Sequence, residues 1–425
     1  MARDLEALAA QMLDAARRAG AEAADAIAVA GDSLSIEVRD GALEQAERAE
    51  GVDVGLRVLM GRRQACVSAS DVRPETFAAM AERAVAMARE APEDPWCGLA
   101  APAEREAAAL AAEAAALAVP GVSKMDSAGA GWRASEVFLA ATNGFAGGYA
   151  RTSRSIQAVA IAGEGLAMER DYAYDDRTHA ADLDAPEAIG RRAGERAVAR
   201  TGAGKPPTGA FPVLFDERVA ASLIGHLVQA INGAAIARGA SWLKDALGER
   251  VLPAGIDLVE DPLRPRVAGS RPFDGEGLPV ARRLLVADGV LQGWTLDLAT
   301  GRQLGLASTG NAVRGTSAPP SPAAGNLALT QGPDGRDALI ARMGTGLLVT
   351  GLIGASINPT TGDYSRGASG FWVENGAIAR PVNECTIAGN LRAMLATIVP
   401  GNDARPHLGR VAPSLLVDGL VVAGA

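Results

Sequence analysis

Apolar residues return at three- and four-residue steps over residues 5–19, at Leu5, Leu8, Ala9, Leu13 and Ala16, and that spacing predicts a helix with one buried stripe. Residues 26–29, 33–38, 52–59 and 64–68 follow as short, β-branched, mostly alternating runs. They are separated by Gly31-Asp32, Asp40-Gly41 and Gly61-Arg62, so a strand meander is expected. Pro74 then opens a second helix over 75–89, with Phe77, Met80, Ala84, Val85 and Met87 on a broad apolar face and Pro92 and Pro95 beyond it. Alanine and glutamate dominate 100–117, which predicts a long surface helix or helical connection whose packing partner the pattern does not show. Strand signals return at 135–142, 147–161 and 166–174, and 186–200 is helical.

The cluster Gly202-Ala203-Gly204-Lys205-Pro206-Pro207 marks the expected boundary between an N-terminal domain, 1–205, and a C-terminal domain, 206–425. The second half opens with a strand at 211–215 and a helix at 217–232, then becomes mainly β. Two hairpins are predicted: 282–287 with 290–296 around Asp288-Gly289, and 370–374 with 377–382 around Asn375-Gly376, dipeptides that tolerate the positive φ of two-residue turns. Residues 317–322 form an extended loop, and 414–422 a final strand pair or edge strand. The expected class is α+β: helices on a strand meander, then a largely antiparallel, sandwich- or barrel-like domain.

Composition narrows the functions. A chain of 425 residues, 48% of them hydrophobic, can bury a large core. It has no apolar run long enough for a membrane helix, and its acidic start is unlike a signal peptide, so a cytoplasmic protein is expected. A formal net charge of -9 disfavours nucleic acid and anionic membranes as partners. Cys66, Cys97 and Cys385 are odd in number and widely spaced, which fits buried free thiols rather than a disulfide framework.

Candidate chemistry is sparse. There are three histidines, His179, His226 and His407, and no HExxH or HExxxH helix, because Leu227, Val228, Gln229 and Ala230 follow His226. Gly367-Ala368-Ser369-Gly370-Phe371 departs from a nucleophile elbow at Phe371. The Gly202–Pro206 run lacks the hydroxyl residue of a phosphate loop, and Gly344-Thr345-Gly346 lacks the third glycine of a dinucleotide fingerprint. Two polar clusters remain. In Met168-Glu169-Arg170-Asp171-Tyr172-Ala173-Tyr174, alternation puts Glu169, Asp171 and Ala173 on one strand face and Arg170, Tyr172 and Tyr174 on the other. Residues 361–370 read as a Gly-rich loop able either to hold an unusual turn or to present Asp363, Tyr364, Ser365, Arg366 and Ser369 to a peptide or partner.

Those clusters are two of many ordered blocks that resemble the TldD/PmbA (modulator of DNA gyrase) protease family, specifically its PmbA/TldE branch without a metal site. The other blocks include Leu223-Ile224-Gly225-His226-Leu227-Val228, Pro272-Phe273-Asp274-Gly275-Glu276-Gly277, Met343-Gly344-Thr345-Gly346-Leu347 and Ile387-Ala388-Gly389-Asn390-Leu391. The resemblance covers nearly the whole chain. It implies a non-catalytic subunit that forms a heterodimer with a TldD-like catalytic subunit, the latter carrying zinc on an HExxxH helix with a cysteine near its C-terminus, and a complex acting on unfolded or flexible peptides. Laid on that pattern, Gly225 falls at the first zinc histidine, His226 at the glutamate and Ala230 at the second histidine, and residues 406–414 supply no cysteine. No metal or other cofactor is therefore expected in this chain. A stand-alone, homodimeric peptide-binding protein and a metal-free hydrolase using His226 with Asp363, Ser365 or Ser369 are the alternative expectations.

Overall fold

The computed structural model describes residues 4–39, 42–94, 96–99 and 102–424. They fall into two compact units, Met1–Glu104 and Arg105–Ala425. In the first, helix α1 (Leu5–Arg18) begins at Asp4, whose carboxylate accepts the Ala7 amide at 3.0 Å. Strands β1 (Ala23–Arg39), β2 (Ala42–Met60) and β3 (Arg63–Ala69) pair antiparallel in sequence order, and helix α2 (Pro74–Glu90) follows. Met12 and Ala16 of α1 and Phe77, Met80 and Ala84 of α2 share a core with Val54, Leu56 and Val58 of β2, so the predicted meander covered by helices is present. One break is not. Gly31-Asp32 lies inside β1, where Gly31 faces Gly51 and the pairing runs on in register as far as Glu37. A glycine opposite a glycine weakens a ribbon without ending it. The Asp40-Gly41 break lies outside the described residues.

In the second unit, helix α3 (Pro102–Leu117) and helix α4 (Pro186–Ala199) cover an antiparallel sheet of β4 (Val122–Ala140), β5 (Ala146–Ala162) and β6 (Glu169–Arg177). Ala112 and Ala116 join Ile189, Ala193, Ile156 and Ala158 in one core, which supplies the packing partner that the alanine-rich pattern of α3 does not name. A Cβ at Gly190 would stand 1.9 Å from the Ala112 carbonyl oxygen, so glycine is what lets the two helices come this close.

Strand β7 (Gly209–Phe215) leads into helix α5 (Glu217–Ala230). The remaining strands are β8 (Leu258–Glu260), β9 (Arg283–Ala287), β10 (Val290–Leu291), β11 (Ala312–Val313), β12 (Ser321–Pro322), β13 (Leu327–Leu329), β14 (Gly346–Ile357), β15 (Asp363–Glu374), β16 (Ala377–Asn390), β17 (Val399–Pro400), β18 (Arg410–Val411) and β19 (Leu415–Ala423). Strands β16-β15-β14-β7-β19 form a row that β16 and β19 close through Thr386–Ala388 and Val421–Ala423, giving a barrel-like sheet. The expected edge strand at 414–422 is therefore β19, held between β7 and β16. A second sheet runs β10-β9-β8-β13-β18. Both predicted hairpins form, with positive φ at Asp288 and Gly289 and at Asn375 and Gly376. The first is shorter than expected, because beyond Leu291 the chain leaves the sheet and buries Trp294 and Leu296 in the core.

The segment expected as a Gly-rich loop is mostly strand. Only Thr361 and Gly362 turn; from Asp363 the chain is β15, paired with β14 on one side and β16 on the other. Its glycines serve strand packing at an irregularity in the register, where a Cβ at Gly370 would meet the Leu348 carbonyl oxygen at 1.9 Å.

Candidate functional site

Helix α5 brings together the chemistry that the chain possesses, and its two halves differ. Asp216 caps it, accepting the Arg218 amide at 3.2 Å. Arg218, with only 6% of its side chain exposed, donates through Nε to Asp216 at 3.0 Å and through Nη1 to Asp171 of β6 at 2.9 Å. Arg336 reaches the other oxygen of Asp216 at 3.3 Å, and Arg200 bridges Glu169 at 3.3 Å and Asp171 at 3.8 Å. Asn383 adds a hydrogen bond to Glu169. Burial opposes the Arg218 charge, but Asp171 and Asp216 outweigh it and hold its pKa above the ordinary arginine value. Around this cluster the alternation expected in β6 is present: Asp171 and Ala173 are buried, while Tyr172 and Tyr174 stack outside with ring centroids 6.1 Å apart. Arg218 lies over Tyr172 and Arg405 over Tyr174, and Arg405 also pairs with Glu217 at 2.8 Å.

The second half of α5 holds Gly225, His226 and Ala230. His226 and Ala230 line a cleft of about 360 Å³ with Gln229, Trp242, Ile357 and Leu391. The imidazole meets the Tyr364 ring edge to face at 5.9 Å. His226 Nε2 and the Tyr364 hydroxyl are both buried and have no hydrogen-bond partner. Burial lowers the His226 pKa, an effect that Gln229 partly offsets and Arg366 reinforces. Burial likewise pushes Tyr364 up to about 12, against the pull of Arg366.

Zinc does not fit these residues. At position 225 an added Cβ would stand 3.1 Å from a guanidinium nitrogen of Arg410, a cation where a metal ligand would have to begin. Ala230 offers a methyl group, and its carbonyl is taken by the Ser241 hydroxyl at 2.5 Å. One imidazole remains, whereas a zinc site draws on at least three protein ligands. Among the described residues no group of three or more His, Cys, Asp or Glu is placed to hold a metal.

The other residues singled out in the sequence are dispersed. Asp363 is exposed at the start of β15 and accepts from the Thr361 hydroxyl at 2.6 Å and from Asn390 at 3.2 Å, which lowers its pKa. Arg366 donates to the Gly354 carbonyl at 2.7 Å, Ser365 lies part-buried in β15, and Ser369 is buried. No hydrogen bond joins His226 to Asp363, Ser365 or Ser369 among the described residues. His407 sits 3.3 Å from Asp175, and its pKa is lowered by burial first and by Arg177 next; His179 is exposed. The cysteines are free; Cys66 is exposed, a difference from the expected buried thiol, and Cys385 is buried with its thiol pushed up to about 11. Asp216, Arg336 and Arg410 were not signalled as site residues, although an aspartate immediately before an apolar helical period is a recognisable cap.

Known proteins match this chain over most of its length. Models of the PmbA/TldA metallopeptidase match as domain 1 at residues 24–88, as the central domain at 99–201 and as the C-terminal domain at 208–424. The chain is 35% identical to metalloprotease PmbA of Escherichia coli O157:H7 over 92% of its own length and 90% of that protein's. With the metalloprotease PmbA homolog of Haemophilus influenzae the identity is 32%, over 97% and 94%. A solved structure from Thermotoga maritima, described as a candidate modulator of a DNA gyrase, superposes with a TM-score of 0.70 at 27% identity, covering 98% of this chain and all of that one. TldE from Thermococcus kodakarensis shares the fold, with a TM-score of 0.70 at 19% identity over 98% and 99%. The chain belongs to the PmbA/TldD metallopeptidase family.

Proposed function

We propose that this chain is the non-catalytic subunit of a two-subunit, TldD/TldE-type protease, pairing with a TldD-like subunit that carries the zinc, and that the complex degrades or processes unfolded peptides. Family membership supports a protease-related role. One observation supports the finer reading: Gly225, beside the Arg410 guanidinium, and Ala230, the α5 residues that the family resemblance lays on the zinc histidines, have no side chain able to bind a metal. His226 alone does not replace that machinery, since its Nε2 is without a partner, its pKa is lowered, and among the described residues no nucleophile or acid is hydrogen-bonded to it.

The test is to purify the chain alone, its TldD-like counterpart alone, and the two together, then to measure zinc in each and cleavage of an unfolded peptide. Zinc and activity are expected only where the counterpart is present. Zinc-dependent cleavage by this chain by itself overturns the proposal.

A further inference from the structure

We propose that the cleft beside the first half of α5 binds the free carboxylate end of a peptide whose last residue is apolar. The cleft is about 430 Å³, within the usual range for small-ligand sites. Four guanidinium groups border it, from Arg196, Arg218, Arg336 and Arg380, against two carboxylates, Asp171 and Asp216. Arg218 and Arg336 bond those carboxylates. The other two are left with main-chain partners: Arg196 donates to the Tyr172 carbonyl at 3.0 Å and Arg380 to the Lys205 carbonyl at 3.1 Å. Burial and the neighbouring Arg218 charge push Arg196 down to about 10, against the opposing pull of Asp171, Asp216 and Glu217. Thr350 adds an independent sign. It is 4% exposed, borders the same cleft, and its hydroxyl has no hydrogen-bond partner. A buried hydroxyl left unpaired is costly, and an incoming carboxylate would satisfy it.

Two features favour a peptide end over a small inorganic anion. Leu348, Phe371 and Ile378 give the cleft an apolar side, with Ile378 48% exposed, which suits an aliphatic side chain next to the carboxylate. Residues 378–381 of β16 border the cleft with β15 as their sheet partner; β19 joins β16 only at Thr386–Ala388. Gly204 bridges β16 at Pro381 and Asn383, which leaves a short strand edge at 378–380 for the last residue of an extended chain. A guanidinium pair is well shaped for a terminal carboxylate.

The site goes beyond the partner reading and can be tested on this chain alone, so failure of one leaves the other standing. Calorimetric titration at low salt would compare N-acetyl-Ala-Leu as the free acid, the same dipeptide as its C-terminal amide, and inorganic phosphate. The acid is expected to bind at least about tenfold more tightly than the amide and than phosphate. The double variant R196Q/R380Q is expected to lose that preference, and Thr350→Val to weaken acid binding several-fold, with unchanged thermal unfolding confirming that both remain folded. Equal binding of acid and amide, no acid binding at millimolar concentration, or phosphate binding as tight as the acid would each overturn the proposal; none of the three depends on a variant folding.

Discussion

The two halves of α5 solve the problem of buried polar groups in opposite ways. In the first half, Arg218 is enclosed by Asp171 and Asp216, with Arg200, Arg336 and Glu169 completing the network. In the second, His226 Nε2 and the Tyr364 hydroxyl are buried without a partner, and the positions on either side of the His226 turn, Gly225 and Ala230, have no polar side chain. The charged half is therefore locked by mutual dependence, since removing any one ion leaves another uncompensated. The neutral half keeps the helix through Leu223, Ile224 and Leu227, which are buried with Phe215 and Val349 of the barrel, while His226 Nε2 and the Tyr364 hydroxyl contribute no hydrogen bond.

Arg218→Ala should break this contrast most severely. It removes the nearest cation from two carboxylates that are 4–5% exposed, leaving Asp216 with Arg336 at 3.3 Å and Asp171 with Arg200 at 3.8 Å, and a loss of about 3–5 kcal/mol is expected on removing one member of a buried ionic cluster, measurable by urea unfolding. A loss below about 1 kcal/mol would mean that water reaches the cluster. Tyr364→Phe probes the other half and should move stability the opposite way: deleting a buried, unbonded hydroxyl is expected to be neutral or stabilising by up to about 1 kcal/mol in the same assay.

A smaller effect concerns pH. The folded state lowers the His226 pKa, so the unfolded chain binds that proton more readily; the contribution is full above the ordinary imidazole value and is lost as pH falls through it toward the folded one. His407 is lowered in the same sense, so the wild-type chain should lose stability between about pH 7.5 and 5.5, and His226→Gln should lose less. Identical pH profiles would remove His226 from the account. The smallest expected effect is that of chelation. EDTA should leave the unfolding midpoint of the isolated chain where it was, because α5 offers a metal one imidazole and a neighbouring guanidinium.

Much of the framework was legible before folding was considered. The three- and four-residue periodicity located α1, α2 and α5, Asp288-Gly289 and Asn375-Gly376 located two turns, and alternation in Met168–Tyr174 gave the inward face of β6 correctly. Residues 361–370 were legible only in part: glycine density reads as a loop, yet Gly370 is there because a neighbouring strand crosses too closely for any Cβ. The neutral site was half legible. Only the family resemblance laid Gly225 and Ala230 on ligand positions, and that Arg410 stands beside Gly225 joins residues 185 positions apart, a contact no local spacing encodes.

What the sequence determined by itself was most of the elements that form and that Gly225 and Ala230 bring no ligand side chain, because periodicity, turn chemistry and residue identity are local properties. The ionic cluster was decided by the tertiary structure. Asp171, Arg200, Asp216 and Arg336 come from four separate segments, and each charge is tolerable in the interior only because the folded sheet and barrel deliver its partner within about 4 Å.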